Sequence, residues 1–160
     1  MPGFRLFPLL AAAIALSACN QQADVPRPAN AKDGIVIIDA RLVMPPVAGN
    51  PAAAYFLVGN ESDADAKIAT IDIEGADMAM MHETLDMGGR STMQPLANPL
   101  VKAHQSLEFT PGNKHVMVTG LAPSVKAGTS TMLTITFDDG QKAAVALPVV
   151  PPGAAEKPAG

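Results

Sequence analysis

Residues 130–150 read STMLTITFDDGQKAAVALPVV, and this stretch decides the fold class. Leu133, Ile135 and Phe137 alternate with Thr134 and Thr136, and Val145 and Leu147 continue the alternation after a break. Period-2 alternation puts one side of a strand on a core and the other toward water. The break is Asp138, Asp139 and Gly140. Asp139 followed by Gly140 predicts a two-residue primed turn, in which both central residues take positive φ. The stretch therefore reads as a β-hairpin.

Working outward, short apolar runs divided by Gly, Pro, Asn and Asp recur along the chain, the pattern of an all-β sandwich or barrel. They predict strands over Ile35–Val43, Ala53–Val58, Ala66–Ile73, Met78–Leu85, Ser91–Gln94, Ser106–Thr110, Val116–Val118, Thr131–Phe137 and Lys142–Val149. Sustained helical periodicity with caps is missing, which leaves room for a short helical turn at most, around Pro123–Ala127. With 160 residues, 48% of them apolar and 16% charged, the chain supports one core. The expectation is a single antiparallel β-sandwich over 33–150.

The ends read differently. Arg5, the apolar run Leu6–Leu16 and the small residues Ser17 and Ala18 form an export signal over 1–18, too short to span a bilayer as a mature helix. Leu16, Ser17, Ala18 and Cys19 resemble a bacterial lipobox, so Cys19 is expected to carry the lipid that anchors the chain to a membrane. Residues 19–32, rich in Gln, Ala, Pro and Asn, suit a flexible tether, and 151–160, rich in Pro, Ala and Gly, a disordered tail. Asn20 follows Cys19 in place of the aspartate tied to inner-membrane retention, which favours the outer membrane. Removing 1–18 takes away Arg5 alone, leaving ten basic against fifteen acidic residues. A surface of that sign repels nucleic acid and anionic headgroups, so membrane contact is expected through the lipid only.

The compositional oddity is nine Met beside no Trp and one Tyr. Sulfur and imidazole donors concentrate in one region: Met78, Met80, Met81, His82, Met87, Met93, His115 and Met117. On a strand His115 and Met117 share a face, with Val116 and Val118 on the other. Gly88 and Gly89 can form a two-residue turn joining the strand of His82 to that of Met93. In that register Met93 lies opposite Thr84 and diagonal to His82, about 7 Å away. A slip of one residue would put them on opposite faces. Two imidazoles and two thioethers form a soft, uncharged set suited to Cu(I), whereas zinc favours thiolates and carboxylates, and magnesium and calcium want oxygen. Cys19 is the only cysteine and is expected to be lipidated, so neither a disulfide nor a thiolate-dependent blue-copper or dinuclear centre can form.

The spacing His82, ten residues, Met93, twenty-one residues, His115, one residue, Met117 resembles the motif of the periplasmic copper chaperone family often called PCuAC. Chance would match all three offsets in such a chain about 2 times in 10,000, far below the usual motif false-positive rate. The stretch 109–150, FTPGNKHVMVTGLAPSVKAGTSTMLTITFDDGQKAAVALPVV, is similar to that family's ending, with a Pro-Gly turn before the second histidine. The resemblance covers roughly Ile35–Val150. It implies a cupredoxin-like β-sandwich that carries one Cu(I) on His82, Met93, His115 and Met117. It also implies delivery on the periplasmic side of the cell envelope to a copper-accepting protein, such as a terminal oxidase subunit or another chaperone. The chain departs from the family in three places. Asn113 and Lys114 replace a Gly and an aromatic residue, bringing a cation beside a ligand; Thr119 replaces a further methionine; and the tail lacks His and Met.

The remaining donors read more plainly. At least two of Met78, Met80, Met81 and Met87 are expected to be core fillers, with Met81 or Met87 as the possible accessory ligand. Met44 and Met132 read as core or rim residues, and His104 as an exposed histidine. Glu83 and Asp86 are candidates to hydrogen-bond a ligating imidazole. No nucleophile is paired with a base and no glycine-rich phosphate loop is present, so an enzyme is not expected. The rival readings are a structural envelope lipoprotein whose methionines only pack, and a copper-sequestering tolerance protein.

Overall fold

The hairpin at the C-terminal end sets the frame. Leu133, Ile135 and Phe137 are buried in β9 (Ser130–Phe137), and Ala143, Leu147 and Val149 are buried in β10 (Lys142–Val150), paired antiparallel with it from Lys142 opposite Thr136 to Pro148 opposite Ser130. The turn differs from the expected primed type, because only Gly140 takes positive φ (78°). Gly140 N donates to Phe137 O and Phe137 N to Gln141 O, both at 2.9 Å, so the loop holds three residues, Asp138 to Gly140. Such a loop needs a left-handed residue only at its last position, which glycine supplies.

A computed structural model describes residues 31–154. The expected export signal, the expected lipidation site Cys19, the expected tether up to Asn30 and the tail after Ala154 lie outside the described residues. The other strands are β1 (Ile35–Val43), β2 (Ala52–Asn60), β3 (Ala66–Ile73), β4 (Met78–Asp86), β5 (Ser91–Pro95), β6 (Leu100–Val101), β7 (Ser106–Phe109) and β8 (Lys114–Thr119). Nine stand where sequence alternation puts them. β6 has no such signal, being two residues long, and is held by a buried side chain instead. Asn60 donates from Nδ2 to Ala64 O at 2.8 Å and Val101 O at 3.0 Å, and its Oδ1 accepts from Ser62 N and Oγ. Asn60 is 2% exposed and fully hydrogen-bonded, as a buried amide must be.

Hydrogen-bonded neighbours run β5-β4-β8-β2-β1-β10-β9-β3-β6, with β7 also on β2. The sheet curls into the expected cupredoxin-like sandwich around one core, to which Ala54, Phe56, Val58, Val116 and Val118 contribute from one half and Ile68, Leu133 and Ile135 from the other. One pairing departs from the all-antiparallel expectation: β1 and β10 run parallel, Leu42 opposite Val149 and Val43 opposite Val150. Between Pro123 and Ala127 there are hydrogen-bonded turns rather than a helix, with Val125 N donating to Ala122 O at 2.9 Å. Ala31 and Lys32, assigned above to the tether, are tied to the domain: Ala31 bridges to Lys142 and Lys32 N donates to Lys142 O.

One irregularity positions the donors. β7 and β8 both run antiparallel to β2 along its same edge. Between Phe109, opposite Phe56, and Val116, opposite Ala54, the chain spends seven residues where β2 spends two. The surplus loops out through Pro111 and Gly112, where Asn113 N donates to Thr110 O at 3.1 Å and Gly112 takes φ 77°. Proline at the second and a left-handed glycine at the third position are the demands of a type II turn. Phe109 stacks on Phe56 with ring centroids 4.5 Å apart, fixing the chain just before it loops out toward His115.

Candidate metal centre

β4 pairs antiparallel with β8 so that Met78 lies opposite Thr119, Met80 opposite Met117 and His82 opposite His115. The strand period then divides the residues. Ala79 and Met81 lie opposite Val118 and Val116, which are fully buried, and both pack against the core. Met78, Met80, His82, His115 and Met117 take the other face. On the far side of β4, Gly88 and Gly89 have φ 68° and 87°, and Met87 N donates to Arg90 O at 2.9 Å, closing the two-residue turn. The pairing of β4 with β5 follows the expected register, with Thr84 opposite Met93. Met93 is thereby diagonal to His82 on the same face.

His82 is thus central, with His115 straight across β8, Met117 diagonal on β8 and Met93 diagonal on β5. The two imidazole centroids are 5.9 Å apart with planes at 70°. An ion about 2 Å from one nitrogen of each ring leaves the centroids about 5 to 6.5 Å apart, for angles from tetrahedral to linear. The observed separation falls inside that range. His115 Nδ1 donates to Asn113 O at 3.2 Å. That bond makes Nδ1 the protonated nitrogen and leaves the Nε2 lone pair for a metal. His82 Nδ1 is buried without a hydrogen-bond partner, a costly state for a ring nitrogen that nothing satisfies. Burial of the His82 ring, and secondarily the neighbouring His115, lower its pKa below the usual histidine value. Both causes favour the neutral form, the one that ligates.

Exposure is graded across the group. Met93 is 61% exposed, while Met117 and both imidazoles are half-buried. Met93, His115 and Met117 line a groove of about 590 Å³ whose other wall is Val43, Pro45, Pro46 and Tyr55. Among the described residues no three His, Cys, Asp or Glu side chains gather to hold a metal, so the donors on this face are imidazole and thioether, the set that suits Cu(I).

Several other expectations are corrected. Met81 faces the core, so it is not available as an accessory ligand. Met87 sits at the hairpin corner, 70% exposed and five residues along from His82, roughly 16 Å at the strand rise. Lys114 does not leave a free cation beside His115, because its ammonium pairs with Glu83 at 3.1 Å, with both side chains largely covered. Lys114 and Glu83 lie opposite one another with parity opposite to the imidazoles. Asp86 accepts from Gly89 N at 2.9 Å, so neither carboxylate orients an imidazole. His104 is exposed as expected and pairs with Asp63 at 2.9 Å. The expectation of at least two core fillers among Met78, Met80, Met81 and Met87 fails, since only Met81 packs inward while Met87, Met78 and also Met80 are exposed. Met80 shares parity with His82, but its place beside Met117 depends on the β4–β8 register, which no local signal fixes.

The profile described as "Putative lipoprotein LpqE-like" matches residues 35–149. A curated relative, "Putative lipoprotein Lxx21020" of Leifsonia xyli subsp. xyli, is 32% identical over 98 residues, covering 61% of this chain and 59% of that protein. The chain thus spans under two thirds of that relative's length. Among solved structures, Cu(I)-bound DR1885 of Deinococcus radiodurans superimposes with TM-score 0.59 at 28% identity, over 76% of this chain and 81% of that one. The copper-bound PCuAC domain of PmoF2 gives TM-score 0.60 at 17% identity, over 74% and 94%, a likeness of fold.

Proposed function

We infer the function of this chain from the premise that it belongs to the LpqE-like lipoprotein family and is of PCuAC type. It is a copper chaperone held at the cell envelope by lipid, with copper as cargo. One Cu(I) is bound by His82, Met93, His115 and Met117 and released on the periplasmic side to a copper-accepting protein such as a terminal oxidase centre. Residues 1–18 are the export signal, Cys19 the lipidated residue, and the segment that follows the tether.

The observation that carries this reading is the directly opposed pair of imidazoles, 5.9 Å apart, with one thioether diagonal to His82 on each side. The exposure of Met93 favours delivery over sequestration, since an incoming ligand can displace the outermost thioether while the half-buried imidazoles keep hold of the ion. A storage site would gain from the opposite arrangement.

Titrating the purified apo protein with Cu(I) against a competing chelator tests the binding. One equivalent is expected, and unchanged affinity after both His82 and His115 become Ala would overturn it. Loss of oxidase activity in a deletion strain grown on scarce copper would support delivery. Retained activity with loss of copper tolerance would support sequestration instead.

A further inference from the structure

Two thioethers on the donor face remain unassigned. Met80 stands directly opposite Met117, and Met78 directly opposite Thr119. Met78 is 51% exposed and Met80 39%, whereas Ala79 and Met81 between them and beside them pack inward. Paired cross-strand residues hold their Cβ atoms about 4.5 to 5.5 Å apart, within the span of two methionine side chains meeting at one ion. Met78 is one strand repeat further along, about 7 Å from Met80.

We propose that Met78, Met80 and Met117 form a second position for a soft monovalent cation, adjoining the His82–His115 position and sharing Met117 with it. The inference rests on the reading of the first site in so far as Met117 belongs to both. Three thioethers carry no charge and no titrating group, so they hold Cu(I) or Ag(I) weakly at any pH and ignore zinc, magnesium and calcium. A weak position next to a stronger one is where cargo can be taken on or handed off. Because Met117 serves both, the ion moves by exchanging one donor at a time, with no change in oxidation state and no proton released. Thr119 cannot contribute a soft donor, and Met78 from the facing strand supplies one at the same level of the sheet.

The test uses the whole chain with methionine methyl groups labelled for NMR, titrated with Ag(I) as a redox-silent probe. The first equivalent is expected to shift the methyls of Met93 and Met117, and the second those of Met78 and Met80. In the His82→Ala, His115→Ala double variant, Met78, Met80 and Met117 should respond to the first equivalent. The near-isosteric Met78→Leu, Met80→Leu double variant should lose the second-equivalent response and slow transfer to a chelator severalfold. Methyls of Met78 and Met80 that stay unmoved past one equivalent, while Met93 and Met117 shift, overturn this proposal and leave the first site standing. Shifts at Met78 and Met80 without any at Met93 support the second position and overturn the first. A response of Met78 and Met80 to an added protein alone, with none to Ag(I), marks them as a docking surface and also overturns the proposal.

Discussion

His82 and His115 face each other across neighbouring strands, ring centroids 5.9 Å apart, and the register that pairs them also sets Met80 against Met117. In the proposed function each imidazole supplies one half of a single grip. Replacing either by Ala should weaken Cu(I) binding at least about 100-fold, beyond the 10- to 100-fold cost of losing an outer hydrogen-bond partner. Residues in one coordination set do not act additively, so the double variant should fall short of the product of the two losses. Chelator competition measures all three.

The lowered pKa of His82 makes a prediction about acid. A folded-state value below the unfolded one means that the unfolded chain takes up the proton first. The stabilisation is present above about pH 6.5, the unfolded value, and is lost as pH falls through the folded one. In the apo protein the His82 ring should titrate below the ordinary histidine range by NMR. His115→Ala should raise its midpoint only partway, because burial is the larger cause. An unchanged midpoint in that variant would remove His115 as a contributor.

Glu83 neutralises Lys114 one residue from His115. Glu83→Gln would leave that ammonium unpaired close to a bound cation and should lower Cu(I) affinity roughly threefold to tenfold, by Coulomb repulsion at short range. Lys114→Gln added to it should restore the affinity, and salt should shrink the difference. A loss that persists in the double variant would point to packing rather than charge.

Phe109 is 1% exposed and stacked on Phe56 at the base of the loop that leads to His115. Phe109→Ala should cost about 3 to 5 kcal/mol in denaturant unfolding. Met87→Ala, at the exposed hairpin corner, should stay within about 0.5 kcal/mol of the parent.

Much of this was legible in the sequence because strand periodicity is local. Leu133, Ile135 and Phe137 announce their strand, and Gly88 with Gly89 fixes the register that sets Met93 diagonal to His82. What was not legible depends on partners far along the chain. Nothing near Leu100 and Val101 marks a strand, since Asn60 holds it from forty residues away. The aspartate before Gly140 suggested a tighter turn than forms, because a three-residue loop needs only the glycine. Met80 and Met81 are equivalent as letters, and only the pairing with β8 sends one to the donors and the other to the core. Lys114 looked like a stray cation until the same pairing brought Glu83 opposite it.

The bridge between Ala31 and Lys142 fixes where the chain enters the domain. Lys142 and Ile35 mark one end of the sheet, and Val43, Ala53 and Met117 the other, because β1, β2, β8 and β10 pair along their lengths between those limits. From Ile35 to Arg41, level with the imidazoles, is about 20 Å at the strand rise. The rim that bears the donors of the proposed copper site therefore lies at the end of the sheet opposite the point where the chain enters the domain. Under the proposed function, with lipid at Cys19, the cargo sits at the opposite end of the domain from its attachment, like a lantern at the far end of its pole.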